Sequence, residues 1–177
     1  MTALILTGPP ATGKNTIAAL IAKRLSRCAV IDVDMVRWMV LQPHKAPWHG
    51  EEGKAQQRLG VQNACLLAES FIRAGFDVII LDVLTDETAH LYKAELKKFE
   101  VKIILLLPTF DEIKKRNSIR GKRITDDEVE MLYRWQKHLS VYDARIDNSR
   151  LTAENTVVQL VNSGIGFSQL REHAKHK

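Results

Sequence analysis

The sequence predicts an α/β domain, a parallel β-sheet wrapped by helices, and three observations predict it. Short apolar runs rich in β-branched residues alternate with longer stretches of helical period, the pattern of strand–helix–strand units. The runs at 78–81 and 103–107 are apolar at every position, as strands covered on both faces must be. A tight glycine turn separates the first apolar run from the first helical stretch, with no room for a hairpin. The chain has 177 residues, 45% of them hydrophobic and only 9 Gly and 5 Pro. That is enough for one core over 1–177, and it excludes global disorder.

In chain order, strands are expected at 4–7, 29–33, 78–83, 101–107 and 144–147. Helices are expected at 14–26, 35–41, 51–74, 86–98, 110–119, 126–142 and 152–162. The run at 3–7 is too short to span a bilayer and has no basic flank. Cys28 and Cys65 supply neither a disulfide framework nor a zinc site of cysteine pairs, which points to a reducing, cytoplasmic setting.

The first turn reads Gly8-Pro9-Pro10-Ala11-Thr12-Gly13-Lys14-Asn15-Thr16. Gly-x4-Gly-Lys between a strand and a helix cradles phosphate: backbone N–H groups point inward, the helix start adds positive potential, and Lys14 places a charge on the β- and γ-phosphates. The usual pattern has Ser or Thr directly after the lysine to hold Mg²⁺. Here Asn15 takes that place and Thr16 follows, so these two are the candidate metal residues of the turn.

Ligands of open α/β sheets gather beyond the carboxyl ends of the strands. Asp34, after the second strand, is expected there, with Asp32 facing the other way by strand alternation. Asp82 closes an apolar third strand, an arrangement that holds Mg²⁺ or its waters opposite the phosphate turn. Asp86 and Glu87 suit the start of the next helix.

The charge excess of 26 basic over 21 acidic residues is local. Six basic side chains and no acid fall within 114–123 (Lys114, Lys115, Arg116, Arg120, Lys122, Arg123). A single cluster on an otherwise balanced body reads as an anion site more than as a nucleic-acid surface. Arg116 and Arg120 share a helix face, Gly121 frees a turn, and Thr125 to Glu128 spells a capping box. Two helices joined by an arginine-rich turn over about 114–128 look like the lid of small-molecule kinases. On the acceptor side, about 37–63, the sequence offers Arg37, Trp38, two prolines, His44, His49 and Trp48 in a loop, then Arg58 and Asn63 on the long helix. The arginines suit an acid or phosphate; the tryptophans suit a flat or sugar-like body.

With Gly-x4-Gly-Lys-x-Thr so near the start of a chain this short, the sequence resembles the small P-loop kinases: adenylate, shikimate and gluconate kinases and chloramphenicol phosphotransferase. Lys14-Asn15-Thr16 resembles the Lys-Gly-Thr of adenylate kinases, and Ala11 stands where many members carry glycine. Arg116-x3-Arg120-Gly-x-Arg123 resembles the lid of the chloramphenicol phosphotransferase-like group, and Ile146-Asp147-Asn148-Ser149 resembles its last strand and turn. The resemblance implies a three-layer P-loop fold with a five-stranded parallel sheet in the order 2-3-1-4-5. It implies ATP and Mg²⁺, Asp34 as general base facing the acceptor hydroxyl, Arg120 and Arg123 on the transferring phosphoryl group, and Arg116, Asn148 and Ser149 beside the nucleotide.

The expected activity is transfer of the γ-phosphate of ATP to a hydroxyl of a small molecule. A nucleoside or nucleotide kinase is the alternative within that class, and a nucleotide-dependent regulator or polynucleotide-binding protein the alternative outside it. A monomer or small homo-oligomer is expected.

Overall fold

The structure is a computed structural model that describes residues 2–119 and 124–163. The expected lid residues Arg120, Gly121, Lys122 and Arg123, and the tail 164–177, lie outside the described residues. Five parallel strands, β1 (Thr2–Thr7), β2 (Cys28–Asp32), β3 (Asp77–Asp82), β4 (Glu100–Leu106) and β5 (Ala144–Ile146), form one sheet in the order β2-β3-β1-β4-β5. This is the predicted order, with every strand within two residues of its expected span. Central β1 pairs with β3 and β4, setting Ile5 opposite Ile80 and Ile103. All six residues of β1 and of β3 are buried, which is why those runs are apolar without alternation.

Alternate side chains of the strands enter two cores. Ala3, Ile5, Val78, Ile80 and Ile103 face α2 (Val33–Arg37), α3 (Gly50–Arg73) and α4 (Asp86–Glu95). Leu4, Leu6, Ile79, Leu81 and Ile104 face α1 (Lys14–Ala22) and α7 (Ala153–Asn162), where Ile17, Ile21, Val157 and Leu160 meet them. Each such Leu or Ile, fully withdrawn from water, contributes about 1.5–3 kcal/mol. The remaining helices, α5 (Phe110–Ile119) and α6 (Asp126–His138), flank the expected lid.

Capping residues set several starts. Thr85 and Thr88 form a reciprocal capping box on α4, Thr125 and Glu128 one on α6, and Thr152 caps α7. The expected helix 126–142 stops at His138 because Asp86 takes the chain beyond it: Ser140 N and Oγ each donate to its carboxylate at 2.8 Å, and Val141 N at 3.2 Å.

Candidate functional site

The turn after β1, expected to cradle phosphate, has its shape set by backbone geometry. Gly8 has φ +149, and a Cβ there would lie 2.2 Å from the Leu106 carbonyl oxygen at the end of β4, so no side chain fits. Gly13, at φ 93, precedes α1, whose start has no side-chain cap and no acid in its first turn. Such a helix start suits an anion. Ala11 adopts φ 65, a left-handed conformation costly for a residue with Cβ. Lys14 folds back over the turn, its Nζ donating to Gly8 O at 2.6 Å and Pro9 O at 3.2 Å.

Two cavities open from this turn. The first, about 150 Å³, runs from residues 10–15 to Asp32, Asp34 and Asp82, with Asn117 and Ile124 at its rim. The second, about 270 Å³, lies on the other side, between the turn, Thr16, Ile17, Arg116, Ile119, Asn148, Leu151 and Ala153. The expectation of Asn15 and Thr16 as a pair is not met: Asn15 lines the first cavity and Thr16 the second. Successive helical side chains diverge by about 100°, which separates them.

Arg116 and Asn148 meet at the second cavity. The Arg116 guanidinium donates to Glu112 at 2.8 Å and to Asn148 O at 2.9 Å, and Asn148 Nδ2 donates to Thr12 O at 3.0 Å. Two buried polar atoms among the residues lining it, Thr12 Oγ1 and Asn148 Oδ1, have no hydrogen-bond partner. Buried polar atoms without partners are rare, and a ligand or water in the cavity would satisfy these two. Ser149, expected beside them, instead closes its own turn: its N–H donates to Asp147 at 2.9 Å and its Oγ accepts from Thr109 N at 2.7 Å.

At the acceptor end, strand alternation does not separate Asp32 from Asp34. β2 ends at Asp32 and α2 begins at once, so both carboxylates line the first cavity. Asp32 is the cap of α2, accepting from Asp34 N at 3.1 Å, and its other oxygen accepts from Asn15 Nδ2 at 3.1 Å. Asp34 is ion-paired with Arg37. The stem of Arg37 lies across α3 at Gly60, where a Cβ would come within 2.6 Å of its Cγ. Asp82 is buried, accepting from Val83 N at 2.7 Å and from the hydroxyl of wholly buried Tyr92 at 3.0 Å. Burial pushes the Asp82 carboxyl above the usual carboxylate range, against the opposing pull of Arg37. Both its oxygens are engaged, and among the described residues no group of three or more His, Cys, Asp or Glu is placed to hold a metal ion.

The other acceptor-side candidates are not brought to the cavity. Arg58 pairs with Glu87 at 3.3 Å, with both side chains largely exposed. Asn63 is half-buried on α3. Trp48 sets its ring edge-on to Trp135 of α6, with centroids 6.4 Å apart, and Trp38 stacks on His44 at 4.2 Å. The loop carrying them is pinned: Gln56 donates to Pro43 O at 2.6 Å and accepts from Lys45 N at 3.0 Å. Sequence reasoning missed Gly60, Tyr92 and Gln136. The last is fully buried and ties the ends of two strands, accepting from Thr7 Oγ1 at 2.8 Å and donating to Leu84 O at 2.5 Å.

No protein-family model matches the chain, and a search of curated proteins finds no significant relative. Solved structures do resemble it. The tunicamycin resistance protein of Deinococcus radiodurans superposes with a TM-score of 0.67 at 15% identity, over 93% of this chain and 96% of that one. A sugar kinase from Janibacter sp. gives 0.66 at 16%, over 94% and 96%. Shikimate kinase from Aquifex aeolicus gives 0.60 at 16%, over 91% and 94%. The chain has the fold of the P-loop kinases. Within that fold the two cavities have distinct chemistry: the glycine turn lies between the one lined by Arg116 and Asn148 and the one lined by Asp32, Asp34 and Asp82. No helix among the described residues is long and apolar enough to cross a membrane.

Proposed function

We propose that the chain is a kinase that transfers the γ-phosphate of ATP to a hydroxyl of a small molecule. One observation carries this reading: the cavity that begins on the phosphate turn ends on Asp34, so donor phosphate and acceptor hydroxyl share one chamber. The nucleotide body takes the second cavity, against Arg116 and Asn148. Its β- and γ-phosphates take the N–H groups of the turn and the Lys14 ammonium, which exchanges its internal carbonyl partners for phosphate oxygens.

The acceptor hydroxyl stands at Asp34, in line with the γ-phosphorus. As its oxygen bonds to phosphorus and the bond to the β-phosphate bridging oxygen breaks, its proton passes to Asp34 Oδ. ADP and a phosphomonoester leave, and Asp34 returns the proton to water. On the sequence alone we also assign Arg120 and Arg123 to the transferring phosphoryl group.

The residues fit Mg²⁺ as an ion held chiefly by ATP oxygens and water, since Mg²⁺ keeps several waters and few protein ligands. Asn15, Asp32 and Asp82 are the groups at hand for those waters. The ion supplies neutralisation of phosphate charge. Among the acceptor candidates, Asp34 lines the chamber and Arg37 is paired with it, while Arg58, Asn63 and Trp48 do not line it.

ADP release measured with ATP, Mg²⁺ and a panel of hydroxyl compounds tests the reading. Acceptor-dependent ADP release with a matching phosphomonoester is the expected result. ATP hydrolysis indifferent to every hydroxyl compound would refute it.

A further inference from the structure

The first cavity takes one wall from residues 10–15, which follow β1, and another from Leu81, Asp82 and Val83, where β3 ends. The ladder between β1 and β3 closes with the pair Thr7 and Asp82. Beyond that pair side chains hold the two segments together. The Thr7 hydroxyl accepts from Leu84 N at 3.0 Å and donates to Gln136 Oε1 at 2.8 Å, and Gln136 Nε2 donates to Leu84 O at 2.5 Å. Thr7 stands one residue before Gly8, and Leu84 one residue after Val83. This ring of hydrogen bonds therefore joins the chain entering one wall to the chain leaving the other.

Packing alone does not require an amide at residue 136. Val129 and Leu132 are buried on the same helix, and a leucine at 136 would bury apolar surface without desolvating a carboxamide. Thr7, Leu84 and Gln136 are all wholly buried. Both groups of the Gln136 amide, the Thr7 hydroxyl and both backbone groups of Leu84 have their partners within the ring. A buried network satisfied in this way fixes one arrangement of the segments it joins. The shape of the turn itself rests on other contacts, with Gly8 against Leu106 O of β4 and Lys14 on the Gly8 and Pro9 carbonyls. What the ring fixes is the separation between the turn and Asp82.

We propose, on the phosphotransfer reading above, that Gln136 acts through Thr7 and Leu84 as a positioning residue. It sets the distance from the phosphate turn to Asp82, so that the carboxylates of the cavity meet the waters of an ion carried by ATP. Gln136 itself lines neither cavity.

The test compares Thr7→Val, Thr7→Ser, Gln136→Leu and the double variant Thr7→Val with Gln136→Leu, each well below its own melting midpoint. Calorimetry gives the affinity for a non-hydrolysable ATP analogue with and without Mg²⁺, and the ratio of the two is the Mg²⁺ effect. In Thr7→Val and Gln136→Leu that ratio should fall about ten-fold, toward one, as when a group that orients metal partners is lost. Affinity without Mg²⁺ should stay close to wild type. The kcat for acceptor-dependent ADP release should fall about ten-fold as well. Thr7→Ser keeps the hydroxyl and should restore most of both. The double variant should lose no more than the worse single one, because the two side chains act as a unit. A brace with a purely structural role would move only the melting midpoint. If Gln136→Leu does not fold, the Thr7 pair decides. A wild-type ratio of one, a ratio unchanged in folded Thr7→Val, or a Mg²⁺-free affinity that falls as far as the ratio would overturn the proposal. So would additive losses in the double variant, or a Thr7→Ser no better than Thr7→Val. The expected Mg²⁺ ratios without ADP release from any hydroxyl compound would sink the kinase reading and leave the positioning role of Gln136 standing.

Discussion

The turn proposed to hold the donor phosphates is one stretch of chain, residues 8–16, whereas the end proposed for the acceptor gathers Asp32 and Asp34 from the β2–α2 junction, Gly60 from α3, Asp82 from β3 and Tyr92 from α4. At the donor end the backbone does the work, and its demands on residue type are local. Gly8 must lie against β4, Gly13 must turn into α1, and Lys14 must follow at once. At the acceptor end side chains do the work, each held by a partner far away in sequence. On the proposed reading, a site built in these two ways would keep phosphate binding independent of the acceptor.

Breaking the donor end should have the largest effect. Lys14→Ala should lower phosphotransfer by about 10²- to 10³-fold, the cost of removing one charged donor from a transferring group. Because Lys14 Nζ bonds to carbonyls of its own turn, thermal melting should stay close to wild type. A Lys14→Ala protein with normal turnover would end the comparison outright.

An acceptor-end change should be milder and should spare ATP binding. Gly60→Ala presses a methyl on the Arg37 stem, a flexible side chain that yields by shifting. Loss of Asp34 alignment should cost roughly ten-fold in kcat, since small misplacements of reacting groups are expensive. Affinity for a non-hydrolysable ATP analogue should not change. An equal fall in both quantities would show that the two ends are not separable.

The smallest effect is expected outside the chamber, at Asp86. Its carboxylate is held below the usual range chiefly by the Ser140 backbone N–H, against the opposing pull of burial, with the Ser140 hydroxyl and the Val141 N–H adding to the lowering. A depressed carboxylate contributes stability above its unfolded pKa, and that contribution is lost as pH falls through its folded value. Asp86→Ala should therefore destabilise the fold by about 1 kcal/mol near neutral pH, with the gap closing in acid and kcat unchanged. Melting curves of both proteins from neutral to acidic pH read this directly, and a gap that widened in acid would contradict the assignment.

The same comparison explains what was legible in the sequence. The phosphate turn and most element boundaries follow from local spacing and hydrophobic period, because β1, α1 and the turn between them are contiguous, whereas the strand order came from the family resemblance. Arg116 and Asn148 were found through a resemblance and do meet at the second cavity. Asp32 was misjudged because β2 ends one residue earlier than expected and the chain turns into α2 at that residue. Gly60, Tyr92 and Gln136 were invisible for a different reason. Their roles exist only once Arg37, Asp82 and Thr7 have been folded against them, and no local pattern records such pairs.

Asp34→Asn is the most direct test of the central claim, that a donor cradle and an acceptor carboxylate share one chamber. Turnover and affinity for a non-hydrolysable ATP analogue are to be measured on the same preparation. Loss of a general base lowers kcat by about 10²- to 10⁴-fold, and the account predicts that loss with ATP affinity unchanged. Full turnover in Asp34→Asn, or a loss of ATP affinity as large as the loss of turnover, would contradict it.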